Sequence, residues 1–226
     1  MEALLEKLIP NVMDKLPELW KCTCQTLYMM GVSGIISFAI GLIIGVILIA
    51  VKPGGVLQNT VIYNVLDKLI NLFRSIPFII LLASLIPLTR ALVGTAIGTK
   101  GAILPLIFGT VPFFSRQVET ALSEVDEGLV EAAAAMGTSS VGIIFRVYLK
   151  ESIPALARVT TITVISLIGL TAMAGAIGGG GLGDFAIRYG HQRNQVDVTY
   201  VTVIILLIIV MILQKIGNLI IKKTTH

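Results

Sequence analysis

Residues 22–51 read CTCQTLYMMGVSGIISFAIGLIIGVILIAV, thirty consecutive residues without a charge, bracketed by Lys21 and Lys52. A helix needs about 20 apolar residues to cross a hydrocarbon core, so this run predicts a membrane span that ends at Lys52-Pro53-Gly54-Gly55. Two further runs agree. Val159 to Gly183 holds 25 uncharged residues, and Val198 to Gln214 holds 17, prolonged beyond Lys215 by Ile216 to Ile221. Between the first and second of these runs the pattern is less clean. Leu69 to Thr89 is apolar except for Arg74, Gly101 to Ser115 is apolar over 15 residues, and Pro77, Pro87, Pro105 and Pro112 fall in this region. Helices with interior prolines are tolerated where neighbouring helices satisfy the freed backbone groups. The expectation is an all-α membrane protein with about five spans, near 22–51, 58–88, 94–118, 157–180 and 198–221.

The composition fits. Hydrophobic residues make up 55% of the 226, charged residues 13%, and mean hydropathy is +0.93. A soluble domain of this size cannot hide so much apolar surface. The net charge of +4 comes from basic residues spread along the chain, which act as loop and interface anchors, and no nucleic-acid partner is expected. Cys22 and Cys24 have no metal partner and read as free thiols. Residues 1–21 carry four acids and three lysines, so they are expected to be an N-terminal segment and not a cleavable signal, with the first span serving as insertion signal. Leu5, Leu8, Val12, Leu16 and Leu19 predict an amphipathic helix over 2–20 lying in the membrane interface, interrupted by Pro10 and Pro17. With the N-terminus outside, ten Lys and Arg fall on the inner side and seven on the outer, which places the C-terminus in the cytoplasm.

The longest polar insertion, 119–156, is too long for a turn and too short for a domain. Asp126 can cap a helix running from Glu127 to Met136, Gly137 can stop it, and Thr138, Ser139 and Ser140 can cap a second helix over Val141 to Tyr148. Ala132 to Ala135 make the first helix stiff and smooth. Such a helix either seats in a partner's groove or packs on its own chain.

Glu131-Ala132-Ala133, three residues, then Gly137 resembles the "EAA" loop of bacterial ATP-binding-cassette importer permeases. Val147-Tyr148-Leu149-Lys150 follows where that family has Ile-x-Leu-Pro, with Lys150 departing from the proline. Further segments resemble the methionine importer permeases within it: Arg74-Ser75-Ile76-Pro77-Phe78, Pro87-Leu88-Thr89-Arg90, Val93-Gly94-Thr95, Pro112-Phe113-Phe114, Glu124-Val125-Asp126 and Ala174-Gly175-Ala176-Ile177-Gly178 with Gly180-Gly181-Leu182-Gly183. The resemblance covers most of 60–221. It implies a type I importer permease fold over 22–226, a homodimer in the inner membrane, two copies of a separate ATPase that binds ATP and Mg, and an extracytoplasmic substrate-binding lipoprotein. It implies that Glu131, Ala132, Ala133, Met136, Gly137, Thr138 and Ser139 couple to the ATPase, and that Met173 helps form a gate. The sequence agrees with this division of labour: no phosphate loop of the Gly-x4-Gly-Lys-Ser/Thr type occurs. No cofactor, metal or catalytic residue is expected on this chain.

Other features weigh less. Ser166, Gly169 and Thr171 are small residues of the fourth span, suited to close packing at a dimer axis or to lining a pathway. Gly178-x-Gly180-x-x-Gly183 matches a dinucleotide fingerprint formally, but it follows a membrane span and not a strand, so it reads as a sharp turn or close helix contact. His191 is an isolated loop histidine, and Arg74 sits near the inner end of the second span. The remaining alternatives are a permease for another amino acid or related small solute and a secondary transporter working without an ATPase. The last requires intramembrane ionisable residues, of which spans one, four and five have almost none. A membrane enzyme lacks paired carboxylates or a nucleophile motif.

Overall fold

The computed structural model describes residues 8–224, and no strand occurs among them. Twelve α-helices follow in chain order: α1 Pro10–Met13, α2 Leu16–Val51, α3 Thr60–Ser75, α4 Phe78–Ser84, α5 Ile86–Val93, α6 Gly98–Ser123, α7 Glu127–Ala135, α8 Ser140–Ile143, α9 Leu149–Glu151, α10 Ile153–Ala174, α11 Gly181–Phe185 and α12 Val196–Thr224. Wider π-helical turns lie at Ile144–Tyr148 and Ala186–His191, and Gly175–Gly179 is a kink in which Gly178 has φ 96°.

Among the described residues four stretches are long and apolar enough to cross a membrane: α2, α6, α10 with its extension to Gly179, and α12. In α12 only 11% of the most apolar stretch is buried, so its surface is that of a helix facing lipid or another membrane chain. The expected second span, 58–88, is not one helix. Pro77 lacks an N–H and drives Ile76 to an extended conformation (φ −81°, ψ 123°), which ends α3 after 16 residues. The remainder forms two short helices of 7 and 8 residues, the second opening on Pro87. In contrast, α6 runs straight through Pro105 and Pro112. The expected amphipathic N-terminal helix over 2–20 falls partly outside the described residues. Residues 1–7 lie outside the described residues, α1 opens on Pro10, and α2 starts at Leu16, ahead of the charge-free run.

The described residues divide into two compact units, 8–35 with 77–107 and 164–213, and 36–76 with 108–163 and 214–224. In the first, Val12, Leu19, Cys22, Leu182, Phe185 and Val198 form a buried cluster. Asp197 ties α1 down, accepting from the Asn11 backbone N–H at 2.9 Å and from Asn11 Nδ2 at 3.0 Å. The start of α11 is capped by α2: Gln25 Oε1 accepts from the Gly181 N–H at 2.9 Å and Thr26 Oγ1 from the Leu182 N–H at 2.8 Å. Gly183 packs directly on the backbone of Ala172, where any Cβ would collide, so the glycine run is a tight helix reversal.

In the second unit, the core consists of Ile49, Phe114, Val118, Ala121, Leu122, Ala133, Ile143, Tyr148 and Val159. Phe38 and Phe114 stack tilted at 4.7 Å. Three of these residues, Ala133, Ile143 and Tyr148, come from the part of the polar insertion beyond α6 and dock it on the ends of α2, α6 and α10.

Candidate functional site

The polar insertion folds as the sequence predicts. Asp126 Oδ1 accepts from the Gly128 N–H at 2.7 Å and caps α7. At the other end the Gly137 N–H donates to Ala134 O at 2.9 Å and the Thr138 N–H to Ala133 O at 3.1 Å, the paired bonds of a Schellman stop. That stop requires a left-handed residue, and Gly137 has φ +79°. Ser139 then caps α8, its Oγ accepting from the Gly142 N–H at 3.2 Å. The chain thus makes two short helices joined by a turn whose backbone groups are satisfied locally.

The two readings of the alanine run divide by face. Ala133 is buried in the core, whereas Glu131, Ala132, Ala134, Ala135, Met136, Gly137 and Ser139 are exposed and Thr138 is half-buried. Met136 stands 79% exposed at the tip, with Leu129 at 48%, Val141 at 57% and Phe145 at 65%. These large apolar side chains are displayed on a polar segment that Ala133, Ile143 and Tyr148 fix from behind. Sequence reasoning found Met136 but missed Leu129, Val141 and Phe145, although the i, i+4 spacing of Val141 and Phe145 was available. Behind this surface, burial first and Glu127 second push the Tyr148 hydroxyl above the ordinary tyrosine value.

The residues expected to line a pathway separate. Ser166, Gly169 and Met173 share one exposed row of α10 at steps of three and four. Thr171 does not join them. It is buried, its Oγ1 donating to Ile168 O at 2.7 Å, because a residue two positions from Gly169 points to another side of the helix.

Two polar clusters were not foreseen. Near the start of α2, Arg188 pairs with Glu18 at 2.9 Å and Asp184 at 3.0 Å and lies over the Tyr189 ring at 4.7 Å. Burial opposes its charge, but the Glu18 hydrogen bond, then Asp184, outweigh burial and raise its pKa. In the second unit, Arg116 of α6 forks between Asp67 of α3 and Glu119 of its own helix. Its Nη2 also donates to Asn71 Oδ1 at 3.3 Å, Asn71 Nδ2 donates to Asp67 Oδ2 at 3.0 Å, and the Tyr63 hydroxyl donates to Glu119 Oε1 at 3.3 Å. Tyr63, Asp67 and Asn71 recur every fourth residue, which is the signal that could have revealed this face. His191 and Arg74 are exposed, and no His, Cys, Asp or Glu group suited to a metal occurs among the described residues.

The chain is a multi-helix membrane component that displays a helix–turn–helix on its longest polar segment. Residues 37–224 match the family described as binding-protein-dependent transport system inner membrane component, and the chain belongs to that family. It is similar to the methionine import system permease protein of Bacillus subtilis, 48% identical over 217 residues, with 96% of this chain and 97% of that one covered. It is also similar to the probable D-methionine transport system permease protein of Vibrio cholerae, 45% identical over 204 residues, covering 90% and 91%. Among solved structures it resembles the MetNI methionine ABC transporter in an inward-facing conformation, with TM-score 0.90 and 41% identity over 94% of this chain and 99% of that one. An amino acid ABC transporter solved with histidines shares the fold at TM-score 0.77 and 17% identity.

Proposed function

We propose that this chain is the membrane-spanning permease subunit of an ATP-driven methionine importer. It works in the inner membrane as a homodimer, with two copies of a separate ATPase below and an extracytoplasmic binding protein above. The observation that carries the reading is the docking surface around Met136 on a chain similar end to end to permeases named for methionine import. ATP and Mg belong to the partner ATPase, and this chain contributes no catalytic group. Its N-terminus lies outside and its C-terminus in the cytoplasm.

Mechanically, closure of the ATPase pair on ATP carries α7 with it. Ala133, Ile143 and Tyr148 root the loop in the core of its unit, so the displacement passes to the ends of α2, α6 and α10 and does not dissipate in the loop. The exposed row of Ser166, Gly169 and Met173 lines the pathway or its dimer axis, where an adaptable methionine suits a reversible apolar plug. Coupling is reciprocal, so a docked, loaded binding protein favours ATPase closure as much as closure favours docking.

The test is uptake of labelled L- and D-methionine into proteoliposomes holding the chain, its ATPase and the cognate binding protein. Accumulation that needs both ATP and the ATPase supports the reading. ATP hydrolysis without methionine entry keeps the class and moves the solute to another amino acid. Transport that persists without any ATPase overturns the proposal.

A further inference from the structure

We infer that Arg116 is a positioning residue for transport, tying α3 to α6 so that α3 follows the helix leading into the ATPase-docking loop. The inference rests on the importer reading above and on the construction of α3. This helix is isolated in the chain. Asn59 caps its start, accepting from the Ile62 N–H at 3.1 Å, and the extended Ile76-Pro77 pair ends it. Its apolar attachment is thin. Ile70 is its one buried residue, supplemented by a tilted Phe73–Phe108 contact at 5.9 Å. Val61, Val65, Leu69 and Leu72 are exposed on its surface.

What holds α3 to its unit is polar. Tyr63, Asp67 and Asn71 all bond to Arg116 or Glu119 of α6. Glu119 is 8% exposed and faces Arg116 and the Tyr63 hydroxyl, so losing Arg116 leaves a buried carboxylate without its cationic partner. A guanidinium suits this place because its planar fork reaches two carboxylates and an amide at once, which an ammonium cannot do. Arg116 also lies ten residues ahead of Asp126, the cap of the docking helix α7, with only the end of α6 and the short link Glu124-Val125 between them. Movement of α7 therefore tilts α6, and the Arg116 fork carries α3 along. Without the fork, α3 has hinges at both ends and little apolar grip, so the ATPase can cycle while α3 lags.

The experiment measures methionine imported per ATP hydrolysed by the reconstituted full complex. Arg116→Gln cuts the tie from α6, and Asp67→Asn weakens it from α3 while leaving the Arg116–Glu119 pair that stabilises the buried carboxylate. Both variants are expected to lower the ratio, by about 3- to 30-fold for Arg116→Gln, with Asp67→Asn and Arg116→Lys in between. Should Arg116→Gln not assemble, Asp67→Asn decides alone. A ratio equal to wild type, or uptake and ATP turnover falling in proportion, overturns the inference, since a merely structural residue lowers both together. The tie itself is read without any solute, by spin labels at Val61→Cys and Ser123→Cys in a Cys22→Ser, Cys24→Ser background with one labelled protomer per complex. With Arg116 present the separation is expected to stay unchanged when ATP binds, and with Arg116→Gln to broaden. Broadening in both overturns the inference even if methionine is imported. A fixed separation in a complex that imports no methionine leaves the tie standing and removes the substrate assignment.

Discussion

Replacing Gly137 isolates the contribution of one backbone conformation to coupling. Gly137 sits at φ +79°, and a Cβ built there meets nothing within 4 Å, so substitution introduces no collision. The penalty is conformational: an L-residue in the left-handed region costs about 1–2 kcal/mol, of which the lower entropy of the unfolded chain offsets about 0.4–1 for alanine. The strain falls on two bonds, Gly137 N–H to Ala134 O and Thr138 N–H to Ala133 O, which set the angle between α7 and α8. The full strain of about 1–2 kcal/mol would raise the population of the opened turn about 5- to 30-fold, and for alanine the offset limits the rise to about 15-fold. Hydrogen exchange at the Thr138 amide reads this directly, and transport per ATP reads its consequence. Asparagine tolerates the left-handed region, alanine less so and β-branched valine least, so both readouts are expected to worsen from Gly137→Asn through Ala to Val. The melting temperature should hardly move, because opening is local. If valine and asparagine behave alike, or if exchange stays at the wild-type rate in Gly137→Ala, the turn does not depend on its left-handed residue and the argument fails.

Other outcomes follow from the same loop and its supports. Met136→Asp leaves stability within about 0.5 kcal/mol, because the side chain is exposed, but weakens ATPase association at least about tenfold in a pull-down titration. Asp126→Ala removes the α7 cap and costs about 1 kcal/mol, seen as faster proteolysis within 124–130 and slower uptake. Gly183→Ala drives a methyl into the Ala172 backbone, and a loss of about 1–3 kcal/mol should appear as a lowered melting temperature and poor yield. The Tyr148 hydroxyl is harder to ionise when folded, so its contribution is present below the ordinary value of about 10 and lost as pH rises above it. Loop protection in hydrogen exchange should therefore fall on alkalinisation, and Tyr148→Phe should flatten that dependence.

How much was legible varied with the physics involved. The charge-free runs announced α2, α10 and α12, because a membrane span is specified by composition along one continuous segment. The docking loop was legible down to its caps, since Asp126, Gly137 and Ser139 act on backbone groups within a few residues of themselves. The division of 58–88 was not. Pro77 ends a helix whereas Pro105 and Pro112 do not, and the difference lies in what surrounds each proline: Pro112 is buried inside the second unit, while Pro77 is exposed. Thr171 stands apart from Ser166, Gly169 and Met173 because grouping small residues by type takes no account of their angle around α10.

On the proposed function, the α7 helix faces two demands at once. A partner's groove requires a smooth rod, whereas transmission requires that the rod be anchored. Alanine serves both. On the outer face Ala132, Ala134 and Ala135 keep the rod narrow, and on the inner face Ala133 lets α7 approach the core closely enough to pack among Ala121, Leu122 and Ile143. Enlarging Ala133 would lift the whole helix from its support while leaving its exposed surface unchanged. Ala133→Leu is thus expected to retain ATPase binding yet lose transport per ATP, whereas Ala132→Leu should impair binding first. The reverse order would mean that the docking surface, and not the anchorage behind it, sets the efficiency of coupling.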